Sequence, residues 1–110
     1  MDIESSVTAL AALAQGTRLE TFRLLVKHEP VGLPAGEVAR LLDVPQNTLS
    51  THLAMLSRAG LVQSERQGRS IIYRADLDGL RGLMVFLVKD CCGAHAELCE
   101  PLLTDLAPCC

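Results

Sequence analysis

Apolar residues recur at helical spacing in successive stretches of this chain, separated by residues that cap or break helices. Val7, Leu10, Ala11 and Ala14 follow Ser5-Ser6 in this way and predict a first helix near residues 4–14, ended by Gln15-Gly16. Thr17-Arg18-Leu19-Glu20 has the form of a capping box, in which the Thr hydroxyl and the Glu carboxylate satisfy exposed N–H groups. Leu19, Phe22, Leu25 and Val26 follow as the buried stripe of a second helix that ends near His28. Pro30, Gly32 and Pro34 read as a loop, with Pro34 suited to the first turn of a third helix carrying Val38, Leu41 and Leu42. That helix stops at Asp43-Val44-Pro45, because a residue before proline is pushed out of the α region.

After a short connection comes Gln46–Ala59, with Leu49, Leu53 and Leu56 at i, i+4 and i+7 and Gly60 as its C-terminal stop. Two short helices joined by a tight turn, the second with a polar outer face, form a helix-turn-helix. Leu61–Glu65 and Ser70–Ala75, joined by Arg66-Gln67-Gly68-Arg69, predict a β-hairpin with a basic tip. Asp76 can cap a last helix in which Leu77, Leu80, Met84, Leu87 and Cys91 follow a heptad spacing, while Leu83, Val85, Phe86 and Val88 make its second half apolar all round. A single domain face cannot bury so much. The expected fold is therefore mainly α with a small β-hairpin, a winged helix-turn-helix that forms a homodimer through its terminal helices.

Composition adds little until it is divided along the chain. The 110 residues are 49% hydrophobic and 21% charged, which fits one globular domain and excludes a disordered chain. The longest apolar run, Leu83 to Val88, is far short of a membrane span, and Met1-Asp2-Ile3-Glu4 lacks the basic start of a secretory signal, so no membrane partner and a cytoplasmic location are expected. The net charge is −3, yet residues 40–74 carry Arg40, Arg58, Arg66, Arg69 and Arg74 against Asp43 and Glu65, a local +3 between two acidic ends. A phosphate backbone responds to that local field rather than to the whole-chain sum.

The leucines of Gln46–Ala59 face inward and leave Gln46, Asn47, Ser50 and Thr51 outward near its N-terminus. These are base-edge readers by type: Gln and Asn pair bidentately with adenine, and a hydroxyl donates or accepts at several edges. Arg66 and Arg69, on either side of Gly68, suit phosphates or the adjacent minor groove, and Arg40 and Arg58 can add backbone contacts. His52, which precedes core Leu53, reads as a packing or hydrogen-bonding residue. Phe22, Phe86 and Tyr73 are too few for base stacking on single strands, so double-stranded DNA is the expected partner. A two-fold dimer then implies an operator with an inverted repeat. No nucleophile triad, paired catalytic carboxylates or phosphate loop points to an enzyme.

Residues 44–75 resemble the recognition helix and wing of ArsR/SmtB-type repressors. The Ser-x-His-Leu, Leu-x-x-Ala-Gly-Leu-Val and Gly-Arg-x-x-x-Tyr signatures are matched by Ser50–Leu53, Leu56–Val62 and Gly68–Tyr73, and Leu13-Ala14-Gln15-Gly16-Thr17-Arg18-Leu19 is similar to an upstream stretch of the same family. The resemblance implies a homodimeric winged helix that represses its own operon and leaves DNA when a metal or metalloid binds. The Cys-x-Cys motif that many relatives carry on the third helix is absent here, and the Asp/His set for zinc on the last helices is incomplete at Asp76, Asp78 and His95. What remains, a vicinal cysteine pair plus a third cysteine, resembles the branch of arsenic-responsive repressors that carry their site at the end of the last helix.

All five cysteines (Cys91, Cys92, Cys99, Cys109 and Cys110) lie in the last 20 residues, so a DNA-binding and dimerisation domain over 1–90 and a Cys-rich sensing segment over 91–110 are expected. Three thiolates give a neutral pyramidal complex with As(III) or Sb(III), whereas zinc, which prefers four ligands, is the weaker fit. On a continuous helix Cys92 and Cys99 would stand about 10 Å apart, whereas two sulfurs on one ion must approach to roughly 4 Å. The chain must therefore turn, with Gly93 a natural place, so that Cys91, Cys92 and Cys99 of one chain are the expected ligands; the alternative is that Cys99 comes from the partner subunit. Cys109 and Cys110 are further ligands or a free tail. Vicinal thiols also suit a redox-sensing repressor, or a thiol protein that scavenges metalloid without specific DNA binding. The heptad spacing predicts twice the 11.8 kDa chain mass in light scattering at micromolar concentration; a monomeric mass would refute it.

Overall fold

The computed structural model describes residues 1–90 and 96–106, without the side chains of residues 89, 90, 96–99 and 103. Its helices are α1 (Ile3–Leu13), α2 (Gly16–Lys27), α3 (Ala35–Leu42), α4 (Gln46–Arg58), α5 (Leu77–Val85) and α6 (Ala96–Leu106). A small antiparallel sheet consists of β1 (Leu33–Pro34), β2 (Val62–Gln67) and β3 (Ser70–Ala75) in the order β1-β3-β2. A π-helical segment, Phe86–Asp90, follows α5 directly.

Helix α4 lies at the centre of the core. Leu49, Leu53 and Leu56 are fully buried against Leu25 of α2, Val38 of α3 and Leu61 beyond its own end. Asp43 closes α3 in the left-handed region at φ 54°, a conformation that a short polar side chain tolerates better than most, and α4 begins after Val44 and Pro45. The resulting α3-turn-α4 unit is the expected helix-turn-helix. Beyond Gly60 (φ 78°), Val62 and Ala75 are paired and buried at the foot of β2 and β3.

Several expectations are corrected. The N-cap of α2 is Gln15, whose side-chain oxygen accepts from the Arg18 N–H at 2.8 Å; Thr17 is already helical and accepts through its carbonyl from Thr21 Oγ1 at 2.7 Å. The capping box is therefore not formed, because the helix starts one residue before it. Pro34 is the N-cap of α3 rather than a residue of its first turn, and together with Leu33 it forms the edge strand β1, paired with Ile72 and Tyr73. Proline has no N–H for a ladder, so an edge is where it fits. Gly32 at φ 78° carries the chain past Tyr73 and Arg74 so closely that a Cβ there would lie 2.6 Å from the Tyr73 carbonyl oxygen. The hairpin extends to Gln67↔Ser70, so its tip is the two-residue loop Gly68-Arg69 rather than four residues.

The outer helices differ most from expectation. The buried face of α1 is Ser6, Ala9 and Ala12, whereas Ile3, Val7 and Leu10 stand exposed. Asp2 caps it through Oδ1, which accepts from the Ser5 N–H at 2.7 Å and holds the carboxyl below its ordinary pKa. Helix α5 does not continue as α-helix through Phe86–Asp90, and Leu83 is its buried residue, while Leu77, Met84, Val85 and Leu87 remain exposed. Helix α6, with Pro101 inside it, occupies part of the segment expected only as a tail.

Ser6 is 2% exposed, and among the described residues its Oγ has no hydrogen-bond partner. A buried hydroxyl without a partner destabilises, and alanine is the better helix former. Ser6→Ala is expected to raise unfolding stability by about 1 kcal/mol in urea titration; an unchanged or lower midpoint would mean that water satisfies the hydroxyl.

Candidate nucleic-acid interface

The first two turns of α4 carry Gln46, Asn47, Ser50 and Thr51, all exposed; Asn47 and Thr51 point away from the buried leucines, Ser50 lies at the flank, and Gln46, on the leucine stripe, is exposed because it begins the helix. Pro45 offers no side chain to cap this helix. Asn47 fulfils part of that role, its Oδ1 accepting from the Thr48 N–H at 2.9 Å, which leaves its amide group to donate outward. Ser50 Oγ donates to the Gln46 carbonyl at 2.9 Å and Thr51 Oγ1 to the Asn47 carbonyl at 3.4 Å. With their protons directed back along the helix, both hydroxyls present lone pairs. In these rotamers each hydroxyl has lone pairs suited to a donor such as a base amino group and no proton to offer a phosphate. Gln46 lies over the start of α3, its Oε1 3.7 Å from where a Cβ on Gly36 would be.

The wing supplies the positive charge. Gly68 takes φ 63° at the first loop position while Arg69 stays at negative φ, the pattern of a type II′ turn, which lets β2 and β3 keep their twist to the tip. Arg66 and Arg69 are exposed there. Arg40 and Arg74, by contrast, are engaged within the protein. Arg40 pairs with Glu37 one turn earlier on α3, an interaction that raises the arginine pKa and lowers that of the carboxyl. Arg74 makes a two-pronged bond to Glu29, at 2.9 and 3.1 Å, that ties β3 to the end of α2 and raises the pKa of its guanidinium. The local excess of charge is thereby concentrated at the wing tip, with Arg58 exposed near the end of α4.

His52 is half-buried, and its Nδ1 lies 3.5 Å from Arg18 Nη1, in line with a hydrogen-bonding role. Arg18 itself was not expected here. The available signal was electrostatic: a cation in the first turn of a helix opposes the helix dipole unless its head group leaves that end. The Glu29–Arg74 pair, 45 residues apart, had no sequence signal.

Cys91, Cys92, Cys109 and Cys110 lie outside the described residues, as does the Cys99 side chain, whose backbone belongs to α6. Among the described residues no group of His, Cys, Asp or Glu could hold a metal ion, and no helix is long and apolar enough to cross a membrane.

A family model described as a helix-turn-helix domain matches residues 13–65. The transcriptional activator HlyU of Vibrio cholerae is 30% identical over 90 residues, covering 82% of this chain and 81% of its own. An ArsR-like transcriptional regulator from Rhodococcus sp. RHA1 superposes with a TM-score of 0.73 at 28% identity, covering 94% of this chain and 93% of its own. The homodimeric winged helix-turn-helix DNA-binding domain of a possible ArsR-family regulator from Mycobacterium bovis gives 0.66 at 28% identity, covering 80% of this chain and 81% of its own.

Replacing Ser50 and Thr51 together by alanine should weaken binding to a preferred duplex about tenfold or more with little loss of stability, since both are exposed. Replacing Arg66 and Arg69 should instead weaken all duplexes alike and flatten the salt dependence by about two units of slope. Fluorescence anisotropy at several salt concentrations measures both, and equal affinities across the wild type and the two double variants would reject the interface. The chain belongs to the ArsR/SmtB family of winged-helix transcriptional regulators, DNA-binding proteins rather than enzymes.

Proposed function

We propose that this regulator is a cytoplasmic repressor that binds an inverted-repeat operator as a homodimer and is released when As(III) or Sb(III) is held by the thiolates of Cys91, Cys92 and Cys99. Dimerisation is supported by two exposed apolar stripes, Ile3, Val7 and Leu10 on α1 and Leu77, Met84, Val85 and Leu87 on and after α5, together with the homodimeric state of the Mycobacterium bovis relative. A second copy is the occupant that two such stripes on terminal helices fit.

The observation that carries release is the covalent and packed path from the thiols to α4. Cys91 and Cys92 directly follow the Phe86–Asp90 segment at the end of α5. At its other end α5 is seated on the exit of α4: the Asp76 N–H donates to the Leu61 carbonyl at 2.8 Å, and Gly79 approaches the Gly60 carbonyl so closely that a Cβ would not fit. Asp76 Oδ1 accepts from the Gly79 N–H at 3.1 Å and fixes this first turn. A change in the course of α5 therefore reaches α4 through contacts with no slack. Three thiolates suit a soft pyramidal ion better than zinc, and a coupling free energy of about 1–3 kcal/mol suffices for release. The pair Cys109-Cys110 enters as an optional fourth or fifth thiol.

As(III) titrated into an anisotropy sample of protein on a duplex selected from a randomised pool should release the DNA, and Cys91→Ser with Cys92→Ser should abolish the response while leaving apo affinity unchanged. Release by peroxide with no response to metalloid would replace this reading with a thiol redox switch. Absence of any preferred duplex would favour a scavenging role.

A further inference from the structure

Arg18 is the one side chain described above that touches both a dimer-face helix and the recognition helix without lying on either. Its backbone is in the first turn of α2, where its N–H is capped by Gln15. Its side chain runs away from that turn, and Nε donates to the Ala12 carbonyl of α1 at 2.6 Å. That carbonyl belongs to the last turn of α1, where no intrahelical donor is available and no basic residue of α1 stands. A cation there also complements the helix dipole. From the same guanidinium, Nη1 reaches His52 Nδ1 and Met55 Sδ, each at 3.5 Å, on one face of α4.

We propose that Arg18 is a positioning residue for DNA binding: it locks the rotation of α4 to the end of α1, and so sets how the reading residues are presented relative to the dimer face. The inference rests on α4 being the element that reads DNA. Three features of the site support it. His52 directly follows Thr51, and Met55 is four residues beyond it, so the clamp grips α4 beside its outward edge rather than at its buried centre. The guanidinium is planar and rigid, so bonding through Nε and Nη1 together fixes an angle as well as a distance. For His52 to accept at Nδ1, its proton must sit on Nε2, which makes Arg18 also the group that selects the imidazole tautomer and directs an N–H away from the clamp.

A lysine keeps the charge but not the planar fork, so its freely rotating ammonium does not fix the two directions toward Ala12 and His52 that Nε and Nη1 fix together. Arg18→Lys is therefore expected to retain the thermal midpoint and the affinity for random-sequence duplex, while binding to a duplex selected by the wild-type protein falls about tenfold, the equivalent of one mismatched base pair. His52→Gln, which approaches the clamp from the other side, should lower the same affinity, and the double variant should lose no more than the worse single one. In the wild type, imidazole ¹⁵N shifts should report an Nε2–H tautomer at His52 that becomes mixed in Arg18→Lys. Wild-type binding to the selected duplex by Arg18→Lys, or a loss matched by an equal loss of folded protein, overturns the proposal. If Ser50→Ala with Thr51→Ala also binds that duplex normally, the assignment of α4 as the reader has failed; if it binds weakly while Arg18→Lys does not, only the clamp has.

Discussion

The burial of Leu49, Leu53 and Leu56 is the constraint on which the other features of the interface depend. Each step along a helix turns the side chain by about 100°, so three leucines on one stripe determine where every other residue of α4 points. Burying a leucine contributes about 1.5–3 kcal/mol, whereas turning Ser50 inward would bury a hydroxyl in a place filled by aliphatic groups. The outward set Asn47, Ser50 and Thr51 is thus a product of the core, while Gln46 is exposed as the first residue of the helix. The same burial continues through Leu61 and Val62 into β2, so the wing and the recognition helix share one apolar foundation.

Charge follows a similar division of roles. An acidic chain presents a basic feature by pairing some arginines with its own carboxylates and displaying others at the wing. Glu29 and Glu37 hold Arg74 and Arg40, while Arg66 and Arg69 are displayed at a hairpin tip, where a backbone phosphate would meet them first. Whole-chain net charge therefore says little about what this surface attracts.

The parts governed by periodicity and local chemistry were legible in the sequence. Helices α1 to α4 fall within a few residues of where their apolar spacing puts them, and Asp76 caps α5 as its position suggests. Features that depend on distant neighbours were not. Strand β1 is two residues of a proline-rich stretch that becomes a strand only because β3 lies beside it, and the Gln15 cap displaced a capping box that was equally good on paper. Exposure of the α1 stripe was also invisible, because spacing shows that residues share a face and not which face is covered. At the candidate interface, residue types pointed to Gln46, Asn47, Ser50 and Thr51, which the structure leaves exposed, while the contacts of Arg18 required three helices to be in place.

The direction of the Ser50 and Thr51 protons has a consequence for the information that α4 can extract. In the major groove adenine and cytosine display an amino donor, while guanine and thymine display a carbonyl acceptor in its stead. An acceptor-only hydroxyl separates the first two bases from the last two and cannot tell the members of either pair apart, so each such residue conveys one bit where a full base identity needs two. Asn47, whose Oδ1 is held by the Thr48 N–H and whose amide group is left to donate, offers the complementary half of that code.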